Sequence, residues 1–198
     1  AVKLDANADA AGDLFIDAAT DGAVGGNLAV TATTGNITQD GSLVLAVTGT
    51  STLTTAATDA TITLGTATNA LGGNVILTTA GTAGHVTIDN GTTALGVQGT
   101  VAGNLELTSG EVITDSAALA VTGTTTLTTD VNDKAITFGT LASTGNVILA
   151  TQGTAGHVTI DNTTTALGVQ GTVAGNLDLR SGEVITDSAA LAVTGTTT

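Results

Sequence analysis

Residues 73–126 read GNVILTTAGTAGHVTIDNGTTALGVQGTVAGNLELTSGEVITDSAALAVTGTTT, and residues 145–198 repeat them 72 positions later with 49 of 54 residues unchanged. Self-similarity at a long fixed period marks an array of stacked units, each burying its apolar face against the next. A weaker echo runs further back. Ala46–Gly65 (AVTGTSTLTTAATDATITLG) matches Ala120–Gly139 (AVTGTTTLTTDVNDKAITFG) at an offset of 74. After it, GTATNALGGN is two residues longer than GTLASTGN, a length change in a glycine-flanked loop. Near the start, VKLDANADAAGDLFID resembles VILTTAGTAGHVTID. The chain therefore reads as one continuous body over 1–198 with three units: 1–72 (diverged), 73–144, and 145–198, which stops in mid-unit as a piece of a longer array would.

Within the units, two aliphatics separated by one residue recur throughout. The pattern runs through Val2/Leu4, Leu14/Ile16, Leu28/Val30, Leu43/Leu45/Val47, Ile62/Leu64, Val75/Leu77 and Val86/Ile88. It continues with Leu105/Leu107, Leu119/Val121, Ile136/Phe138, Val147/Leu149, Val158/Ile160, Leu177/Leu179 and Leu191/Val193. Period two puts both aliphatics on one face of a strand and the intervening residue on the other. GlyAsn and AspAsn pairs punctuate the runs as turns, and no segment reads as helix. Four of the five differences between the long copies fit this phasing directly: Thr78/Ala150, Glu106/Asp178 and Thr108/Arg180 fall outward, and Gly91/Thr163 falls in a loop. Ala80/Gln152, the fifth, is also read as loop. No inward aliphatic changes. Strands this short, closely spaced and near-verbatim in repeat predict an all-β, parallel β-solenoid with coils of about 18–24 residues, because each coil need match only its neighbours. A sandwich would need distinct strands and closed edges.

Composition narrows the function classes. Phe15 and Phe138 are the only aromatics, and Cys, Met, Trp, Tyr and Pro are absent. The core must then be thin and layered from Val, Leu, Ile and Ala. Seventeen acidic residues against Lys3, Lys134 and Arg180 give a net charge of −14. That lacks the basic footprint needed for phosphate contacts or an anionic membrane surface, so nucleic acid is not an expected partner. No apolar run reaches the roughly 18–20 residues that cross a bilayer, so membrane insertion is not expected either. Any export signal would lie outside residues 1–198 or have been removed.

GNLAVTATTGNITQDGSLVLAVTG (26–49), GNVILTT (73–79) and GNLELTSG (103–110) resemble the repeats of filamentous-haemagglutinin-like proteins. Those proteins are large bacterial surface adhesins, exported by two-partner secretion, that fold as right-handed parallel β-helices. The resemblance covers nearly the whole chain and implies that fold and an extracellular or cell-surface setting. The family's amino-terminal secretion domain is not recognisable, and no functional residues carry over.

Candidate sites are few. His85 and His157 hold the same place in GHVTID one unit apart; two imidazoles that far apart cannot share a metal, and the bland reading is a turn histidine. Glu111 and Asp115, repeated as Glu183 and Asp187 in EVITD, together with Asp89 and Asp161, would form acidic ladders along the rod. Asp130, Asn132 and Asp133 make the most oxygen-rich loop. Calcium is the one ion such groups would take, although the glycine-rich calcium-roll nonapeptide is absent; the default is a solvated, soluble skin. GTAG and GTVAG match no phosphate loop and read as turns. Catalysis on polysaccharide would need clustered acids with a nearby cation, and the three basic residues are scattered. Thr52–Thr54, Thr61–Thr63 and Thr126–Thr128 raise ice binding by a flat threonine array, but their spacing follows no constant coil length.

The expected function is structural and adhesive rather than enzymatic: an extracellular stalk, fibre or coat with no cofactor. Its partners would be itself, stacked head to tail, neighbouring repeats of one longer chain, or a host or neighbouring cell surface. Alternatives are a calcium-stabilised surface-layer or adhesin segment of one giant chain, and an ice-binding or polysaccharide-active β-helix.

Overall fold

Alternating aliphatics become strands here because each inward side chain stacks on an inward-facing position of the coil above and of the coil below. The computed structural model describes residues 2–6, 14–16, 22–39, 41 and 43–198, with side chains from residue 22 onward. It is a parallel β-solenoid of about eight turns, with no helix among the described residues. One broad face stacks Val2–Ala6, Leu28–Ala32, Ser51–Thr58, Val75–Ala80, Leu95–Val101 and Ile113–Val121; the pair Ile136–Phe138 and Leu141–Ser143 follows, then Val158–Asp161 and Leu177–Arg180. The other stacks Leu14–Ile16, Ile37–Gln39, Ile62–Leu64, Val86–Asp89, Leu105–Ser109, Thr125–Asn132, Val147–Gln152, Leu167–Val173 and Ile185–Val193. A short third sheet of Gly22–Val24, Leu45–Val47 and Ala70–Leu71 closes one side of the early coils. Neighbours pair in parallel at sequence offsets from 18 (Leu95 on Ile113) to 26 (Val2 on Leu28). At about 4.8 Å per coil the stack is roughly 40 Å long.

The period-two phasing holds across the described side chains. Leu105 and Leu107 are buried with Glu106 exposed between them, and both Leu64 and Phe138 are fully buried at equivalent positions. The pairs Val2/Leu4 and Leu14/Ile16 lie outside the residues whose side chains are described. Leu177 is buried, whereas Leu179, Leu191 and Val193 in the last coil are only partly so.

Two readings need correction. GTVAG at 99–103 is not wholly turn, since Gly99 to Val101 end the strand Leu95–Val101. The glycine is there because of close approach: with φ of 119°, a Cβ on Gly99 would lie 2.1 Å from the carbonyl oxygen of Leu77. The ladder shifts register at this point, a bulge that only glycine fills without displacing the next coil. Ala80 likewise ends the strand Val75–Ala80 instead of lying in a loop.

The long repeat is not a whole number of turns. Val75–Ala80 lies on the first face and its twin Val147–Gln152 on the second; Val86–Asp89 lies on the second and Val158–Asp161 on the first. The same exchange holds for every twin strand through Ile113–Val121 and Ile185–Val193. Seventy-two residues therefore make three and a half turns. The copies are related by a half-turn about the rod axis plus a rise of about 17 Å.

Candidate functional site

The half-turn decides what the acidic groups can do. The EVITD copies sit on opposite faces, so Glu111 and Asp115 do not stack on Glu183 and Asp187, and the expected ladders do not form. Asp89 pairs laterally with Thr108, and Asp161 with Arg180. Each of these two aspartates turns its carboxylate onto its own turn, accepting from the backbone N–H of Gly91 (2.9 Å) or Thr163 (2.8 Å).

Several acids link one coil to the next. Glu111 pairs with Lys134 at 2.7 Å. Asp115 accepts from the N–H groups of Gly139 (2.9 Å) and Thr140 (2.5 Å) and from the Thr140 hydroxyl (2.8 Å), bracing the break between two short strands. Asp133, at a left-handed φ of 63°, accepts from the N–H groups of Thr154 (2.7 Å) and Ala155 (2.8 Å). Its counterpart Asp59, at φ 62°, does the same for Thr82 and Ala83. The backbone donors Thr82 and then Ala83 hold the Asp59 carboxyl below the usual carboxylate range, and Thr154 and then Ala155 act likewise on Asp133. Asp130 is exposed, and Asn132 pairs through its backbone with Gln152. Among the described residues no three His, Asp or Glu side chains are grouped as a metal site. Glu183 and Asp187, in the last coil, have no side-chain partner among the described residues.

The histidines are inter-coil turn residues. Nδ1 of His85 accepts the Asn104 N–H, and Nδ1 of His157 accepts the Asn176 N–H, each at 2.8 Å. They stand on opposite faces, because the copies do.

A polar seam inside the rod was missed by the sequence reading. Asn90 and Asn162 are fully buried. The Asn90 Oδ1 accepts the Leu71 N–H at 2.7 Å, while its Nδ2 donates to the carbonyls of Thr93 and Ala94. Asn162 does the same with Ser143, Thr165 and Ala166. One coil earlier, Asn69 exchanges side-chain hydrogen bonds with Gln39. These amides satisfy backbone groups where the chain turns a corner and the ladder cannot. The signal was present: Val86, Ile88 and Asn90 share one phase, so an inward asparagine was legible. As a residue pair AspAsn reads as a turn, and only the period-two phase of Val86 and Ile88 turns its asparagine inward.

The outward threonine columns are mixed. On one face Thr63 and Thr87 are followed by Glu106 and then Thr126, and on the other Thr52 is followed by Ile76 and Gln98. No described helix is long and apolar enough to cross a membrane.

The geometry defines a parallel β-solenoid repeat protein in which Asp59, Glu111, Asp115, Asp133 and the two histidines tie one coil to the next. The chain belongs to a family described as repeats of unknown function (DUF5649), whose model matches residues 3–78, 83–150 and 155–198. No curated protein matches the chain. No solved structure matches it either.

Proposed function

We propose that this solenoid is a structural and adhesive extracellular element, a segment of stalk, fibre or surface coat, and not an enzyme. One observation carries the reading. The half-turn repeat places the same outward residues on both broad faces, over an interior that the copies leave unchanged. A catalytic pocket gains nothing from such duplication, whereas a rod that presents one skin in two directions does. The five differences between the copies lie outward, at a strand end or in a turn, as expected where shape is retained and surface drifts. The resemblance of residues 26–49 to filamentous-haemagglutinin-like repeats supports the surface setting. Stiffness comes from continuous parallel ladders, and the excess of carboxylates keeps the skin hydrated.

Immunogold labelling of intact producing cells, with electron microscopy of purified material, tests this. Gold on the cell exterior and rod-shaped or filamentous particles are expected; confinement to the cell interior would contradict the reading. Incubation with polysaccharides and esters should give no turnover.

A further inference from the structure

Asn90–Gly91 is the one Asn-Gly dipeptide in the chain, and its twin reads Asn162–Thr163. The segment at 65–74 imposes the difference, since the carbonyl oxygens of Ala67 and Asn69 leave no space for a Cβ at position 91. That steric rule has a chemical consequence. The backbone nitrogen of a glycine, with no Cβ beside it, can close on the carboxamide of the preceding asparagine, whereas a β-branched residue hinders the approach. In the folded molecule the reaction is held off. Both residues of the dipeptide are buried. Asn90 Oδ1 accepts the Leu71 N–H at 2.7 Å, and Nδ2 donates to the carbonyls of Leu71 (3.3 Å), Thr93 (2.9 Å) and Ala94 (3.0 Å). The Gly91 N–H is engaged by the Asp89 carboxylate at 2.9 Å. The next coil grips the backbone: the Asn90 N–H donates to the Thr108 carbonyl (2.9 Å), and the Gly91 carbonyl accepts the Gly110 N–H (2.6 Å). On the other side the guard is thin. It is Ala70–Leu71, a two-residue strand at the edge of the third sheet.

We propose that Asn90 is a self-modification site, latent in the folded rod and released when the coil carrying Ala70–Leu71 opens. The Gly91 nitrogen, its proton lost to solvent base, attacks Cγ of Asn90. The N–Cγ bond forms, the Cγ–Nδ2 bond breaks, and ammonia leaves with a proton taken from water. Water then adds across either C–N bond of the cyclic imide, leaving an aspartate or an isoaspartate at position 90. Either product removes Nδ2 and sets a carboxylate against the carbonyl oxygens of Leu71, Thr93 and Ala94, so the corner no longer closes as before. The isoaspartate also lengthens the backbone by one carbon within the corner. A transient opening thereby becomes permanent. The site is independent of any adhesive role.

Peptide mapping by mass spectrometry of the full chain, held at mildly alkaline pH with and without urea, tests this. In urea Asn90 should convert more than about tenfold faster than in the folded chain, and faster than Asn162 by a similar factor. Thr163→Gly gives the second copy the same dipeptide, so Asn162 should then convert as fast as Asn90 in urea. Asn69→Ala removes the amide that ties the guarding coil to Gln39 and to the Asp89 carbonyl. In that variant, with its fold checked by circular dichroism, conversion at Asn90 without urea should quicken about three- to tenfold. Chains converted in urea and returned to native buffer should lose amide-exchange protection at Leu71. Equal rates at Asn90 and Asn162 in urea would overturn the proposal, as would conversion at Asn90 that is equally fast folded and unfolded. So would an unchanged rate in Asn69→Ala, or full protection of Leu71 after conversion.

Discussion

The two long copies are nearly identical in sequence and unequal in surroundings, and the inequality begins in the segments that lead into them. Residues 65–74 (GTATNALGGN) crowd the turn at Gly91: a Cβ there would lie 2.8 Å from the Ala67 carbonyl oxygen and 2.9 Å from that of Asn69. The shorter GTLASTGN at 139–146 leaves room for Thr163, which holds φ 46° against 51° for Gly91 and donates its hydroxyl to the Leu141 carbonyl at 3.1 Å. A left-handed β-branched residue is strained, so the threonine is tolerated only where the neighbour gives way. Ser51 and Thr125 tell the same story. Thr125 shares a hydrogen bond with Ser143 at 3.0 Å, but the buried hydroxyl of Ser51, flanked in the ladder by Leu28 and Val75, has no partner among the described residues. In a solenoid, a residue's energy is set as much by the coils above and below as by its own coil.

The largest break in the equivalence should come at the leucines. Leu107→Asp buries a carboxylate without a partner and should cost about 4 kcal/mol or more. Leu179→Asp, at the half-covered end, should cost clearly less. Equal melting shifts for the two would mean that the end coil is as enclosed as the interior. Gly91→Thr should cost about 2–4 kcal/mol from backbone strain and overlap, whereas Thr163→Gly should be neutral or gain up to about 1 kcal/mol. Denaturant titration of the pair reads this directly, and symmetric effects would reject the loop explanation. Ser51→Ala should stabilise by about 1 kcal/mol by removing an unsatisfied hydroxyl, while Thr125→Ala should destabilise by a similar amount.

Smaller still is the dependence on pH. Asp59 and Asp133 are held below the usual carboxylate range in the folded chain. Their contribution is therefore full above the unfolded-state value, near 3.8, and is lost as pH falls through the lower folded value. Asp59→Asn keeps a neutral acceptor for Thr82 and Ala83 and tolerates the left-handed backbone but removes the charge, so it should lower stability modestly at neutral pH and flatten this acid dependence. Melting scans from pH 7 to pH 2 check it; an unchanged acid profile would assign the dependence to other groups.

Strands were legible wherever inward aliphatics alternate, as in LEL at 105–107. They were not legible where glycine carries the strand, as in GVQG at 96–99, because a glycine placed for close packing looks like one placed for a turn. The buried Asn90 was readable from phase. The partners of Asp115 and His85 were not, because each is a backbone N–H about 20 residues away, 24–25 for Asp115 and 19 for His85. Residue type gives no sign of such a partner. The half-turn was hidden because a 72-residue period says nothing about whether it contains an odd or even number of strand layers.

That half-turn is the claim on which the rest depends. Spin labels on cysteines replacing Thr87 and Thr159, outward residues at the same place in the two copies, measure it by electron–electron dipolar distance. Opposite faces about 10 Å apart, with labels projecting outward and a rise of about 17 Å, predict a separation of about 25–30 Å. A separation of about 15–20 Å, with both labels on one face, would contradict it.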